Sequence, residues 1–420
     1  MFHKFKLKNS LNVVVAPLKE TKVVTILLFF GVGSRYEKQN NLGVSHFIEH
    51  MFFKGTKKRP TALKISQSIE SLGAEFNAFT GKDFTGYYIK VNSDHLEKAT
   101  EILSDMILHS KFEEKEINKE KGVIIEEINM FEDNPLIRID DLFENTLFGN
   151  QQLGMYVYGT RESIRGMKRE DFISYVNNYY TSGNALLGFA GCVNASLVKK
   201  LAGRFFGKLK KGSKKAPRKV DLGKIRNRVS LEYKKSEQTQ LAMGFPAYRY
   251  THRDIVALKI MDVIFGGNMS SRLFVKVREK HGLAYQVRSY AGQYQDTGVM
   301  MVQAGLDNRK LEKTVGLIME ELRKMRSKNV SQAELKKAKD FMKGRLIVQL
   351  EDSENLANWL LRQQLFNGKM MTLEEKFSKI DAVSVGDVKR VAKDVINFKK
   401  LNVAVIGPLI DEEKLKKLFN

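Results

Sequence analysis

The chain carries one domain pattern twice. Ile164, Asp171 and Gly191 recur as Ile380, Asp387 and Gly407 at a constant offset of 216 residues, without a gap, in and just before the segments REDFISYVNNYYTSGNALLGFAGCVNASLVKKLAGRFF and VGDVKRVAKDVINFKKLNVAVIGPLIDEEKLKKLF. Earlier in each half, TILLFFGVGSRYE answers TQLAMGFPAYRYT at nearly the same offset. Such a repeat constrains the fold to two copies of one unit, and 420 residues at 43% apolar content supply material for two cores. Between the copies, the stretch from Lys208 to Arg228 is rich in Lys, Gly and Pro and reads as an exposed connector. The expected partition is an N-terminal domain at 1–212, a basic linker at 213–228 and a C-terminal domain at 229–420.

Within each half, strand-like runs such as Val23 to Phe30 and Leu186 to Cys192 alternate irregularly with helical patterns such as Asp94 to His109 and Leu311 to Met325. That is an α+β signature. The run from Glu75 to Val91 has strand residues on both sides of a Gly-Lys-Asp turn and predicts a hairpin.

The formal charge of +23 invites an anionic partner, but the lysines are spread along the chain and no aromatic-interleaved basic motif accompanies them. A lysine-rich, solvated surface is the expectation, with no nucleic acid bound. The single cysteine, Cys192, excludes an intrachain disulfide and fits a reducing compartment. The most apolar run, Val23 to Gly33, is about half the length of a bilayer span, and the N-terminal MFHKFKLKNSLNVVVAPL lacks the uninterrupted apolar region of a secretory signal. No membrane span and a cytoplasmic location are therefore expected.

Chemistry enters with LGVSHFIEHMFFKG, an apolar helical pattern that carries His46, Glu49 and His50. At 3.6 residues per turn, His50 falls roughly 40° to one side of His46 and Glu49 roughly 60° to the other, so all three share one face. Two imidazoles four residues apart can reach one zinc ion at about 2.0–2.1 Å, with the carboxylate beside the open coordination position. A catalytic zinc needs a third protein ligand, and the helical pattern GVIIEEINMFED offers Glu126 and Glu127, with Glu120 two turns before Glu127.

The order His46-Phe47-Ile48-Glu49-His50, with one Glu 77 residues beyond the second His and another seven residues before that one, resembles the pitrilysin family, the M16 metallopeptidases. The resemblance runs from the Arg35 region through GTRESIRGMKREDF to the C-terminal repeat. It implies Glu127 as the third ligand, Glu120 as an additional active-site glutamate, Glu49 as the base that activates water, and one Zn2+ per chain. Glu126 is expected on the helix surface. The implied fold is two homologous tandem domains of the LuxS/MPP-like metallohydrolase type, each a mainly antiparallel sheet packed with helices.

In the second half, GGNMSSRLFVKVREKHGLAYQVRSY looks like the family's second signature, which implies that Arg278 and Tyr285 contact the peptide near the scissile bond. The strand around Asn77, Ala78 and Phe79 matches the family's substrate-binding edge strand, where an extended peptide gains backbone hydrogen bonds. Where the repeat places His46, Glu49 and His50, the second half has Ile260, Val263 and Ile264, so a single zinc site is expected. The length resembles the family's short, processing-peptidase-like branch, which implies a homodimer whose active sites are completed by the partner chain. The function implied is zinc-dependent endopeptidase action on unfolded peptides inside an enclosed chamber. The competing readings are a catalytically silent scaffold or partner subunit of the same fold, and a nucleic-acid-binding protein.

Overall fold

The duplicated segments build the same parts in the computed structural model, which describes residues 2–225, 228–408, 413 and 417. Asp171 caps the helix Arg169–Tyr179 by accepting the Lys168 N–H at 2.8 Å, and Asp387 caps the helix Val385–Val395 by accepting the Ser384 N–H at 2.9 Å. Ile164 and Ile380 are both buried. Gly191 and Gly407 each end a strand. At Gly191 the backbone is left-handed, φ +119°, and a Cβ would stand 2.1 Å from the Val23 carbonyl oxygen, so glycine is required there. Residues 409–412, 414–416 and 418–420 of the second copy, and residues 226 and 227 of the connector, lie outside the described residues.

The first sheet is built from β1 (His3–Lys6), β2 (Asn12–Pro17), β3 (Val23–Phe30), β4 (Glu75–Thr80), β5 (Thr85–Asn92) and β6 (Ala185–Gly191), in the order β1-β2-β6-β3-β5-β4. The second is built from β7 (Val229–Tyr233), β8 (Gln238–Ala247), β9 (Ala284–Gln293), β10 (Gly298–Asp307) and β11 (Asn402–Gly407), in the order β7-β11-β8-β10-β9. Matching β2 to β7, β6 to β11, β3 to β8, β5 to β10 and β4 to β9 gives one topology used twice. In both, a single parallel pair, β2 with β6 or β7 with β11, interrupts an otherwise antiparallel ladder. The fold is α+β, with two tandem and mainly antiparallel units. The expected hairpin is β4 and β5.

The strand β3 is buried on both faces, which is why its sequence is apolar at every position but Thr25 rather than an alternation. One face of the first sheet, with Val14, Leu27, Phe29 and Leu186, packs against Ala357, Leu360, Leu361 and Leu365 of the helix Ser353–Asn367. Gly188 admits that helix closely, since a Cβ there would meet the Leu361 side chain at 3.0 Å. The corresponding face of the second sheet, with Ala242, Val299, Met301 and Ile406, packs against Ile139, Phe143 and Leu147 of the helix Pro135–Phe148. These two helices start at Pro135 and Ser353, nearly one repeat apart, so each copy contributes this helix to the other copy's sheet. The compact units accordingly comprise Met1–Asn129, Met155–Arg218 and Ile347–Thr372 for the first, and Met130–Gly154, Lys219–Leu346 and Leu373–Asn420 for the second. The sequence expectation of contiguous domains at 1–212 and 229–420 does not contain this exchange. No helix among the described residues is long and apolar enough to cross a membrane.

In the first unit the loop after residue 55 is tied down by buried charge. Arg59 reaches Glu101 at 2.6 Å and Asp105 at 2.6 Å, and Thr56 donates to Asp105 at 2.7 Å. Burial raises the pKa of Glu101, but hydrogen bonds from Arg59, Lys58 and Lys98 outweigh it and hold the carboxyl down at about 2.

Two outcomes follow. Leu361→Ala, although it lies in the second half of the sequence, lowers stability by roughly 2–5 kcal/mol and reduces amide hydrogen-exchange protection in β3 and β6 while β8 and β10 keep theirs. The opposite pattern of protection loss would refute the exchange. Because the folded pKa of Glu101 lies below its unfolded value, its contribution is present above about pH 4.5 and is lost as pH falls toward 2. In thermal melts the deficit of Glu101→Gln against the parent therefore narrows over that interval, and a deficit constant from pH 5 to 2 would contradict it.

Candidate active site

The helix Val44–Met51 is positioned from both sides. Its apolar face, Val44, Phe47, Ile48 and Met51, is buried, with the Phe47 ring edge-on to Phe172 at 4.7 Å. Its N-terminus is capped by Glu37, whose carboxylate accepts the Gly43 N–H at 2.6 Å and the Ser45 N–H at 2.8 Å. Burial pushes the Glu37 carboxyl up to about 8, against the pull of those two amides. Gly43 itself is left-handed at φ +90°, and a Cβ would lie 2.6 Å from the Tyr158 carbonyl oxygen. The helix can therefore neither slide nor rotate freely, and its polar face is fixed.

On that face, His46 Nε2 and His50 Nε2 stand 3.3 Å apart. Glu127 Oε2 lies 3.6 Å from each of them. Glu127 arrives on the helix Glu114–Asp133, whose buried residues Ile117, Glu120, Ile124 and Ile128 pack one side inward and bring Glu120 and Glu127 to the same region, two turns apart. Glu120 is 3% exposed in its side chain, accepts from His50 Nδ1 at 2.9 Å and pairs with Lys54 at 2.6 Å. A proton on His50 Nδ1 leaves its Nε2 lone pair facing His46 and Glu127. Burial raises the Glu120 carboxyl, but hydrogen bonds from His50 and Lys54 prevail and keep it below the usual value.

The triangle fits a metal ion. Four ligands in a tetrahedron about 2.0–2.1 Å from a zinc ion are separated from one another by roughly 3.3–3.5 Å, and the three atoms here lie at 3.3, 3.6 and 3.6 Å. Glu127 Oε2 is buried and has no hydrogen-bond partner, a state that costs about 1–3 kcal/mol or more for a charged group unless a cation accepts the lone pair. Burial, and then the charge of His50, push the His46 imidazole down to about 3, so it is neutral and able to ligate. Burial raises the carboxyls of Glu127 and Glu49. Among the described residues, His46, His50 and Glu127 are the group of His, Cys, Asp or Glu side chains that converges in this way.

Glu49 sits beside the triangle and accepts the Thr80 hydroxyl proton at 2.5 Å. Thr80 ends β4, the strand at the edge of the first sheet, and was not singled out by the sequence reading. Its signal was the hairpin alternation, which puts Phe76, Ala78 and Thr80 on one face. A cleft of about 270 Å³ is lined there by Glu49, His50, Phe53, Lys54, Phe76, Asn77, Ala78 and Glu120. Phe79 turns the other way, against Phe29 at 5.8 Å and Phe84 at 6.0 Å, and belongs to the core behind the sheet. Its side chain therefore offers nothing to the cleft, and only its backbone lies on the edge strand. Glu126 makes no contact with the triangle and meets Asn129 at 3.4 Å.

Arg278 and Tyr285 belong to the second unit. The segment Phe274–Lys280 is a π-helix, a geometry frequent at functional sites. It presents the Arg278 guanidinium 4.8 Å from the Phe274 ring and 5.3 Å from the Tyr285 ring. Tyr285 is 78% exposed, which excludes a core role for it. Ile260 and Ile264 are buried in the helix Ile255–Phe265, so the second unit keeps the helix and fills the ligand positions with hydrocarbon.

Comparison with known proteins agrees with this division. Residues 12–161 match the insulinase family, peptidase family M16, and residues 166–342 match the domain described as the peptidase M16 inactive domain. A zinc protease of Bacillus subtilis designated YmxG is 33% identical over 408 residues, covering 97% of this chain and 98% of its own. A zinc protease of Rickettsia felis is 36% identical over 410 residues with the same coverage, 97% and 98%. Among solved structures, a protease from Helicobacter pylori superposes with a TM-score of 0.89 at 27% identity, over 97% of this chain and 99% of that one. A Pseudomonas fluorescens protein described as a peptidase M16 inactive domain shares the fold, with a TM-score of 0.90 at 20% identity over 98% of both chains. The chain belongs to the insulinase family of zinc proteases, peptidase family M16.

Proposed function

We propose that this chain is a zinc endopeptidase that cleaves unfolded peptides, with one Zn2+ held by His46, His50 and Glu127. The observation that carries the reading is the buried triangle of two imidazole nitrogens and one unpartnered carboxylate oxygen beside Glu49. When bound, the metal supplies Lewis acidity toward the scissile carbonyl and toward the attacking water.

The remaining steps fall to the protein. Glu49, with its carboxyl raised by burial, takes the proton of the attacking water and returns it to the departing amine. Thr80 orients the Glu49 carboxylate, and Glu120 fixes the ring of His50. The open edge of β4 receives the substrate as an added strand through the backbone of Asn77, Ala78 and Phe79, a mode with little dependence on sequence. Small Ala78 lets the peptide approach. Arg278 and Tyr285 steady the oxyanion of the tetrahedral intermediate, and in this reading they are supplied by the partner in a homodimer that encloses the substrate. The single free cysteine is consistent with a cytoplasmic setting.

Glu49→Gln is expected to retain one zinc per chain by elemental analysis while hydrolysis of a mixed peptide library falls about 10²–10⁴-fold. Normal turnover in that variant removes Glu49 from the mechanism, and stoichiometric zinc with no cleavage of any peptide by the parent protein favours a scaffold. For the shared site, mixing Glu49→Gln chains with Arg278→Ala chains restores activity in the mixed dimer, whereas no recovery means each chain works alone.

A further inference from the structure

Lys54 is the one charged residue lining the cleft beside the metal triangle to which the peptidase mechanism gives no part. It lies just beyond the helix Val44–Met51, in a turn where the Phe53 N–H donates to the His50 carbonyl and the Lys54 N–H to the Met51 carbonyl, both at 3.1 Å. The chain that follows is pinned. The Gly55 carbonyl accepts the Lys111 N–H at 3.1 Å, and Thr56 donates to Asp105 in the buried charge network of Arg59, Glu101 and Asp105.

A lysine ordinarily extends its ammonium into solvent. Here the side chain is 24% exposed and the ammonium reaches inward to Glu120 Oε2 at 2.6 Å. The other oxygen of Glu120 accepts from His50 Nδ1 at 2.9 Å, so one oxygen is engaged by the metal-binding ring and one by the lysine. A divalent ion in the triangle has three carboxylates about it: Glu127 as ligand, Glu49 beside it and Glu120 behind His50. With neutral imidazoles, two positive charges then face three negative ones. Among the described residues, Lys54 is the one lysine or arginine paired with any of the three. Its removal leaves the buried Glu120 carboxylate without a counter-charge. The ring of His50 then loses the contact that fixes which nitrogen faces the metal.

We infer that Lys54 is a positioning residue of the metal site: through Glu120 it holds the His50 imidazole with Nε2 toward His46 and Glu127, and so sets the affinity of the chain for zinc. The inference rests on the zinc reading above and adds to it a residue that touches neither the metal nor the reacting atoms.

The test is a competition titration of the full-length protein with Zn2+ against a chromophoric chelator at fixed pH, independent of any assay of hydrolysis. Lys54→Met, which keeps the length of the side chain and removes its charge, is expected to weaken zinc binding about 10–100-fold. In the background of Glu120→Gln, where the partner charge is already gone, the same substitution is expected to change zinc binding about twofold or less. That comparison decides the matter also where Lys54→Met by itself does not fold. Once the site is saturated with zinc, Lys54→Met is expected to cleave a peptide with the KM of the parent, since the lysine holds no substrate. Parent-like zinc affinity in Lys54→Met, an equal loss in both backgrounds, or a raised KM at full zinc occupancy overturns the assignment. A parent chain that takes up no zinc overturns the metal reading and this inference together, whereas one zinc per chain with affinity unmoved by Lys54→Met overturns this inference alone.

Discussion

The structure is organised around the cost of holding two imidazoles and a carboxylate together away from water. Their ligand atoms stand 3.3 and 3.6 Å apart in a site where His46 is only 12% exposed and Glu127 24%. Without a cation, that arrangement strands a buried carboxylate oxygen and brings two nitrogen lone pairs face to face. Folding must impose it from outside. The Glu37 carboxylate caps the helix that carries both histidines, the Glu120–Lys54 pair locks the ring of His50, and Thr80 anchors Glu49 from the adjoining sheet. Each of these contacts is made by a residue distant in sequence from its partner or by the turn that starts the helix. The local sequence sets the face on which the ligands lie, and the tertiary structure sets the separation between them.

That distinction governs what could be read from the sequence. His46, Glu49 and His50 were legible because helical periodicity alone places them on one side. Glu127 was legible only through the family resemblance, since nothing local states that a helix beginning at Glu114 will cross the one beginning at Val44. Thr80 was missed although it closes the same strand as Asn77 and Ala78, because its partner lies on a different element. Phe79 marks the limit of the strand-level expectation: period-2 alternation assigns its side chain to the face away from Ala78, so what the edge strand offers at that position is its backbone.

The duplication was equally legible, and the exchange of helices was not. Both Pro135–Phe148 and Ser353–Asn367 carry apolar residues that must be covered, and their patterns fit either sheet. Which sheet each one covers depends on the path taken by the helices before them, Glu114–Asp133 and Gln332–Leu350, within which the boundaries between compact units fall. Amphipathic patterning specifies that a face is buried, never against what. The expected cut at a basic connector therefore describes the repeat in the sequence, while the compact units follow the packing.

Duplication also frees the second copy from the constraint of the first. Ile260 and Ile264 give the helix Ile255–Phe265 a fully apolar inner surface, so the second unit carries none of the desolvation cost that His46, His50 and Glu127 place on the first. Its polar and aromatic groups are then available at the surface. Tyr285 stands exposed beside Arg278 on the strand that corresponds to β4, and Lys280 follows on the same π-helix that carries Arg278. Buried, under-satisfied ligands and exposed donors make opposite demands on one scaffold, and the two copies divide them: the first holds His46, His50 and Glu127, and the second, with hydrocarbon at the ligand positions, leaves Tyr285 exposed beside Arg278.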